Sequence, residues 1–129
     1  MILCLRTDKP EAEIALVWDG EVVQKETWQA HRQLAATLHQ KVKESLQKVD
    51  SDISRITGVV VYRGPGSFTG LRIGIAVANA LSDSLAIPVV GSSGDDWMRD
   101  GLSEVKKADS SQKVVPVYGR GAHITRPRK

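Results

Sequence analysis

The chain has 129 residues, 41% of them apolar and 26% charged. That length suits one domain and argues against two full domains flanking a cleft, and the balance excludes wholesale disorder. The net charge of +3 is uneven: residues 1–112 carry thirteen bases against fifteen acids, and the last seventeen residues carry five bases and no acid.

Residues 1–6 are short and apolar, bounded by Asp8 and Pro10, and read as a buried strand. Ile14, Leu16 and Trp18 alternate over residues 13–19 and predict a second strand. Asp19-Gly20 then signals a hairpin into a third strand over residues 21–28. The period changes over residues 31–49. Leu34, Ala35, Leu38, Val42, Leu46 and Val49 recur at three- and four-residue steps, as in an amphipathic helix, which Asp50-Ser51-Asp52 ends.

Residues 56–62 form a second buried strand, rich in β-branched residues, and a glycine-rich loop follows over 63–67. A long helix is predicted over 68–86. Ile87-Pro88-Val89-Val90 reads as a fifth strand, with Pro88 placing it near a sheet edge or at a strand start. Residues 96–107 make a weak helix interrupted by Gly101, and residues 108–113 a loop. A last short strand is predicted over 114–118, with an extended tail beyond it. The β-β-β-α-β-α-β order implies an α/β layered lobe with a mixed sheet and right-handed crossovers.

The most informative stretch is Tyr62-Arg63-Gly64-Pro65-Gly66-Ser67-Phe68-Thr69-Gly70-Leu71-Arg72-Ile73-Gly74. Free backbone N–H groups at a helix start can hold an anion, and Arg63, Gly64, Pro65, Gly66, Ser67, Thr69 and Arg72 are the residues such a site would use. The spacing fits neither common phosphate loop. Leu71-Arg72 follows Gly70 where a P-loop needs Lys-Ser/Thr, and Gly66 to Gly70 is one residue too long for a dinucleotide fingerprint. The other reading is a constrained turn with Ser67 or Thr69 capping the helix. Gly70, Gly74 and Ala78 are spaced by four and make a groove of small residues. Each interior glycine costs about 1 kcal/mol relative to alanine, so something packs close there: the chain's own sheet or another subunit.

This stretch resembles the signature of the TsaB (YeaZ-type) family, in the glycoprotease-like group. That group has the sugar kinase/actin/Hsp70-type ribonuclease H-like fold. Residues 2–7 and 14–18 resemble the family's opening hairpin. His31 stands where members carry a histidine at the start of the first helix. Ile87-Pro88-Val89-Val90-Gly91-Ser92-Ser93 resembles the strand that closes the first lobe, and Pro116-Val117-Tyr118-Gly119-Arg120 the motif near the family's C-terminus. The expected organisation is a lobe over 1–93, a shortened remnant or linker of the second lobe over 94–113, and a basic tail over 114–129.

The resemblance implies a non-catalytic subunit, without cofactor or metal, in the biosynthesis of threonylcarbamoyladenosine next to the tRNA anticodon. Its partner would be a TsaD-type threonylcarbamoyltransferase, with a TsaE-type ATPase joining the assembly and an indirect or weak contact with tRNA. The expected contact is the helix pair 31–49 and 68–86, through Leu34, Leu38, Val42, Gly70, Leu71, Gly74 and Ala78, or the same face closing a homodimer. Leu71→Arg or Gly74→Leu is then expected to abolish association while the monomer stays folded. One departure bears on chemistry. The family's first strand runs into Asp-Thr, an acid that commonly helps position nucleotide-bound metal in this superfamily, and here the residues are Arg6-Thr7. A cation cannot hold magnesium.

Three other readings stay open: a small nucleotide- or phosphate-binding protein using the Gly64–Gly70 loop, a tRNA-binding module using the basic tail, and a degenerate, functionless relic. Arg63 and Arg72 bracket the loop and suit either a phosphate or ion pairs with a partner. His31, His39 and His123 include no H-E-x-x-H, so no protease metal site is expected. Cys4 reads as core. Trp18, Trp28 and Trp97 are candidates for core or interface anchors. No leader and no membrane-spanning run is expected from these residues, and the cytoplasm is the expected compartment.

Overall fold

Alternation and the Asp19-Gly20 turn produce the expected meander: β1 (Ile2–Arg6), β2 (Glu11–Trp18) and β3 (Glu21–Gln29). Both turn residues have positive φ, 52° and 81°, as a two-residue hairpin requires. Then follow α1 (Leu34–Lys48), a 3-10 turn (Ile53–Arg55), β4 (Gly58–Tyr62), α2 (Phe68–Leu85), β5 (Val89–Ser92) and α3 (Trp97–Val105). This is a computed structural model describing residues 1–30 and 33–117. His31, His123, Tyr118-Gly119-Arg120 and the rest of the basic tail lie outside the described residues.

The five strands form one mixed sheet in the order β3-β2-β1-β4-β5. β2 runs antiparallel to both β1 and β3, while β4 and β5 run parallel to β1. Pro88 immediately precedes the edge strand β5, where its missing N–H costs the ladder nothing.

Side-chain alternation assigns the two faces. Leu3, Leu5, Ile14, Leu16, Val59 and Val61 share one face. Against it lie α1, through Leu34, Leu38, Val42 and Leu46, and α2, through Leu71, Ile75, Ala78 and Leu81. Cys4, Val60 and Tyr62 face the other way, toward α3. Every residue of β4 is buried, so this strand is covered on both sides.

Gly101 does not interrupt α3. It lies against Val60, and a Cβ there would overlap the valine side chain, so its bareness lets the helix approach the sheet. Nor do residues 114–117 form a ladder strand. The polar groups of Val114 bond to the Asn79 side chain of α2 instead of to a strand.

Glu26 ties β3 to α1. Its carboxylate accepts from Lys41 at 3.3 Å, Ser45 at 3.3 Å and Lys48 at 3.5 Å. Burial alone would raise its pKa. The lysines outweigh that and hold it below the ordinary glutamate value.

Candidate functional site

The glycine-rich loop lies at the C-terminal ends of β1 and β4, where β4 turns into α2. Its glycines face the chain's own atoms. A Cβ on Gly66 would lie 2.5 Å from Asp8 Cβ and 3.0 Å from Asp8 Oδ2. The Ser67 amide donates to the Asp8 carbonyl at 3.3 Å. Gly64 has φ +113° and leaves room for the Val117 carbonyl. The Gly64-Pro65 peptide is cis, and Tyr62 donates its hydroxyl to the Pro65 carbonyl at 2.9 Å. A phosphate entering here would meet the Asp8 carboxylate over Gly66. The geometry is that of a packed turn. Of the two predicted caps, Ser67 is the N-cap residue, though without a side-chain cap bond, and Thr69 lies within the first turn.

Thr7 explains the small residues of α2. Its hydroxyl donates to the Gly70 carbonyl at 2.7 Å. A Cβ on Gly70 would overlap the Thr7 carbonyl, and one on Gly74 the Thr7 hydroxyl. The groove is therefore filled by the end of β1.

Arg6 belongs to a stack on the opposite face. Its Nε donates to Asp8 Oδ1 at 2.7 Å and its Nη2 to Asp8 Oδ2 at 3.2 Å. The guanidinium lies 3.9 Å from the Tyr62 ring centroid, and Tyr62 meets Trp97 edge-on at 6.0 Å. The bond to Asp8 pushes the Arg6 pKa further up. The acid at this end of β1 is thus already matched by a tethered cation. Such a donor set does not fit a nucleotide-bound metal.

The predicted contact residues divide sharply. Leu34, Leu38, Val42, Leu71, Gly74 and Ala78 are buried against the sheet, and Gly70 is half-buried under Thr7. Their apolar stripe is the one the core uses, so their side chains cannot meet a partner. Leu71→Arg and Gly74→Leu are accordingly changes to the fold. The outward faces of α1 and α2 carry Ala35, Ala36, His39, Arg72, Ala76 and Ala80 instead. Phe68 is half-exposed on the same side of α2, with the Arg72 guanidinium 5.2 Å from its ring. Arg72 and Asp83 are the charged residues in the eighteen of α2.

Arg63 is half-buried. Among the described residues its Nε is buried without a hydrogen-bond partner. Trp97 is core, Trp28 is half-buried with its Nε1–H donating to Thr37 at 3.1 Å, and Trp18 is exposed. Cys4 is fully buried, and burial, followed by the Glu13 charge, pushes its thiol up to about 12. No group of three or more His, Cys, Asp or Glu among the described residues could hold a metal. No helix among them is long and apolar enough to cross a membrane.

Sequence reasoning missed Thr7 and Asp8 as packing partners because they read only as the start of a turn. It also missed Asn79, whose signal is a lone amide within an apolar helix.

The sheet order and the packed glycine turn define a lobe of the ribonuclease H-like, glycoprotease-like group. A family model described as TsaD, tRNA N6-adenosine threonylcarbamoyltransferase, matches residues 22–94. The tRNA threonylcarbamoyladenosine biosynthesis protein TsaB of Escherichia coli is 30% identical over 83% of this chain and 48% of its own length. The TsaB of Haemophilus influenzae is 28% identical over 84% of this chain and 46% of its own. A solved structure described as YeaZ from Pseudomonas aeruginosa superposes with a TM-score of 0.66 at 30% identity, over 71% of this chain and 43% of that one. The chain belongs to the TsaB (YeaZ-type) family of this group. It spans about half the length of the curated TsaB relatives it matches.

Proposed function

We propose that the chain is a non-catalytic scaffold subunit in threonylcarbamoyladenosine biosynthesis on tRNA. It binds and activates a TsaD-type transferase through the outward face of α1 and α2, and a TsaE-type ATPase joins the assembly. The same face closes a homodimer when no partner is present.

The observation that carries this reading is the outer surface of α2. An 18-residue helix with its core stripe already buried ordinarily sets charges toward water. This one presents Ala76 and Ala80, with Ile73 and Val77 half-buried beside them. Small outward residues let a second helix pair approach closely, and a charge-poor surface lowers the desolvation cost of contact. The family relationship supports the choice of partner.

The test is light scattering on a sizing column, with the chain alone and then mixed with the TsaD-type subunit of the same organism. A stable complex is expected, lost in Ala76→Glu and Ala80→Arg while circular dichroism and melting of the isolated chain stay unchanged. A chain that ignores the partner, or variants that bind as before, would overturn the reading.

A further inference from the structure

After α3, residues 113–117 lie against α2, β5 and the Arg63–Gly64 corner. Asn79 holds this strap by its backbone. Its Nδ2 donates to the Val114 carbonyl at 3.0 Å, and the Val114 amide donates to its Oδ1 at 3.0 Å. A carboxamide that satisfies both polar groups of one residue replaces a neighbouring strand, whatever side chain that residue carries.

The positions on either side read sequence. The Lys113 ammonium lies 3.1 Å from Asp83 Oδ1 and donates to Ser82 Oγ at 3.2 Å. It also donates to the carbonyl of nearby Ser110 at 2.9 Å. Val114 sits over Gly91, where a Cβ would lie 2.7 Å from its Cγ1. Val115 points outward, 66% exposed. Pro116 has no N–H to satisfy. The Val117 amide donates to the Arg63 carbonyl at 2.7 Å, and bare Gly64 makes room for the Val117 carbonyl. The groove thus meets a cation, a small β-branched residue, an outward-pointing residue and, at Val117, a backbone amide.

We propose that this groove is a binding site for a peptide of that pattern, occupied in the resting chain by its own residues 113–117. When the strap is released, the same segment of a second copy takes its place. A tethered segment acts at an effective concentration on the order of millimolar, so the strap excludes outside copies until it is weakened. The inference does not depend on the TsaD assignment, since the groove uses Asn79, Ser82 and Asp83 of α2 and neither Ala76 nor Ala80, on which the proposed partner face rests.

The probe is a fluorescein-labelled peptide of residues 111–117, titrated into the full chain and followed by anisotropy. Val114→Asp weakens the strap and leaves every groove residue in place. The peptide should bind this variant at least ~10-fold tighter than the wild-type chain. Adding Asn79→Ala should weaken that binding at least ~5-fold. Equal binding to wild type and Val114→Asp, or no binding to either, would overturn the proposal.

If circular dichroism shows that Val114→Asp does not fold, amide exchange on the wild-type chain decides. The Val114 and Val117 amides should exchange together, at least ~10-fold faster than Val60 in β4. Protection equal to that of Val60 would make the strap an inseparable part of the core and refute the inference.

Discussion

Thr7 donates its hydroxyl to the Gly70 carbonyl at 2.7 Å, and that hydroxyl occupies the space a Cβ on Gly74 would need. The two glycines are therefore a seat for the end of β1. Gly74→Ala should destabilise the isolated chain by about 2 kcal/mol, measured by urea unfolding. Thr7→Ala in the same chain should return part of that loss, a coupling expected only for residues in direct contact.

Arg6 and Asp8 form a bidentate pair, with side chains 19% and 7% exposed. Removing one partner leaves the other charge uncompensated. Arg6→Met should cost about 3 kcal/mol, and the double variant Arg6→Met/Asp8→Asn clearly less. Thermal melts of the four chains check the order. Equal losses in the single and double variants would assign the cost to the Tyr62 stack instead of the ion pair.

Glu26 ties stability to acid pH. Burial opposes its ionised form, but Lys41 and Lys48 hold its folded pKa below the ordinary 4.5. The unfolded chain therefore binds the proton first as pH falls. The contribution is complete above the ordinary value and drains away as pH drops through the folded one. Melting temperature should decline on acidification below about pH 5, and Glu26→Gln should flatten that decline.

Cys4 should be silent in the folded chain. With its thiol pushed up to about 12 and fully buried, it should not react with a thiol reagent near pH 8, yet react at once in urea. Above the ordinary value of 9.0 the unfolded chain loses a proton that the folded chain retains, so stability should fall as pH rises past that point. Prompt labelling of native protein would show that the sheet opens locally at β1.

The strands were legible because each carries its own local signal. β4 is an unbroken β-branched run, and Asp19-Gly20 demands a turn. The stripe of Gly70, Gly74 and Ala78 was legible too, but periodicity shows that a face is covered and not what covers it. Thr7 arrives from sixty-three residues away, and no local pattern points to it. Gly101 misled for a related reason. Its propensity cost is real, but close approach to Val60 makes glycine the residue that fits. Residues 114–117 carry strand-forming side chains, yet they join no ladder. Val114 is held by one side-chain amide on a helix and Val117 by the Arg63 carbonyl, which a reading built on strand pairing does not anticipate.

The parallel pairing of β1 with β4 has a consequence for synthesis. Ile2 lies opposite Gly58, whereas its other neighbour, Val17, belongs to the meander, which is translated before β4. Roughly thirty further residues must be translated between the end of β3 and the start of β4, a few seconds at about 5–20 residues per second. Throughout that interval β1 presents an unpaired edge, with Leu3, Cys4 and Leu5 available to any neighbouring nascent chain. The strand that ends at the centre of the finished sheet is the one most in need of protection while the protein is being made.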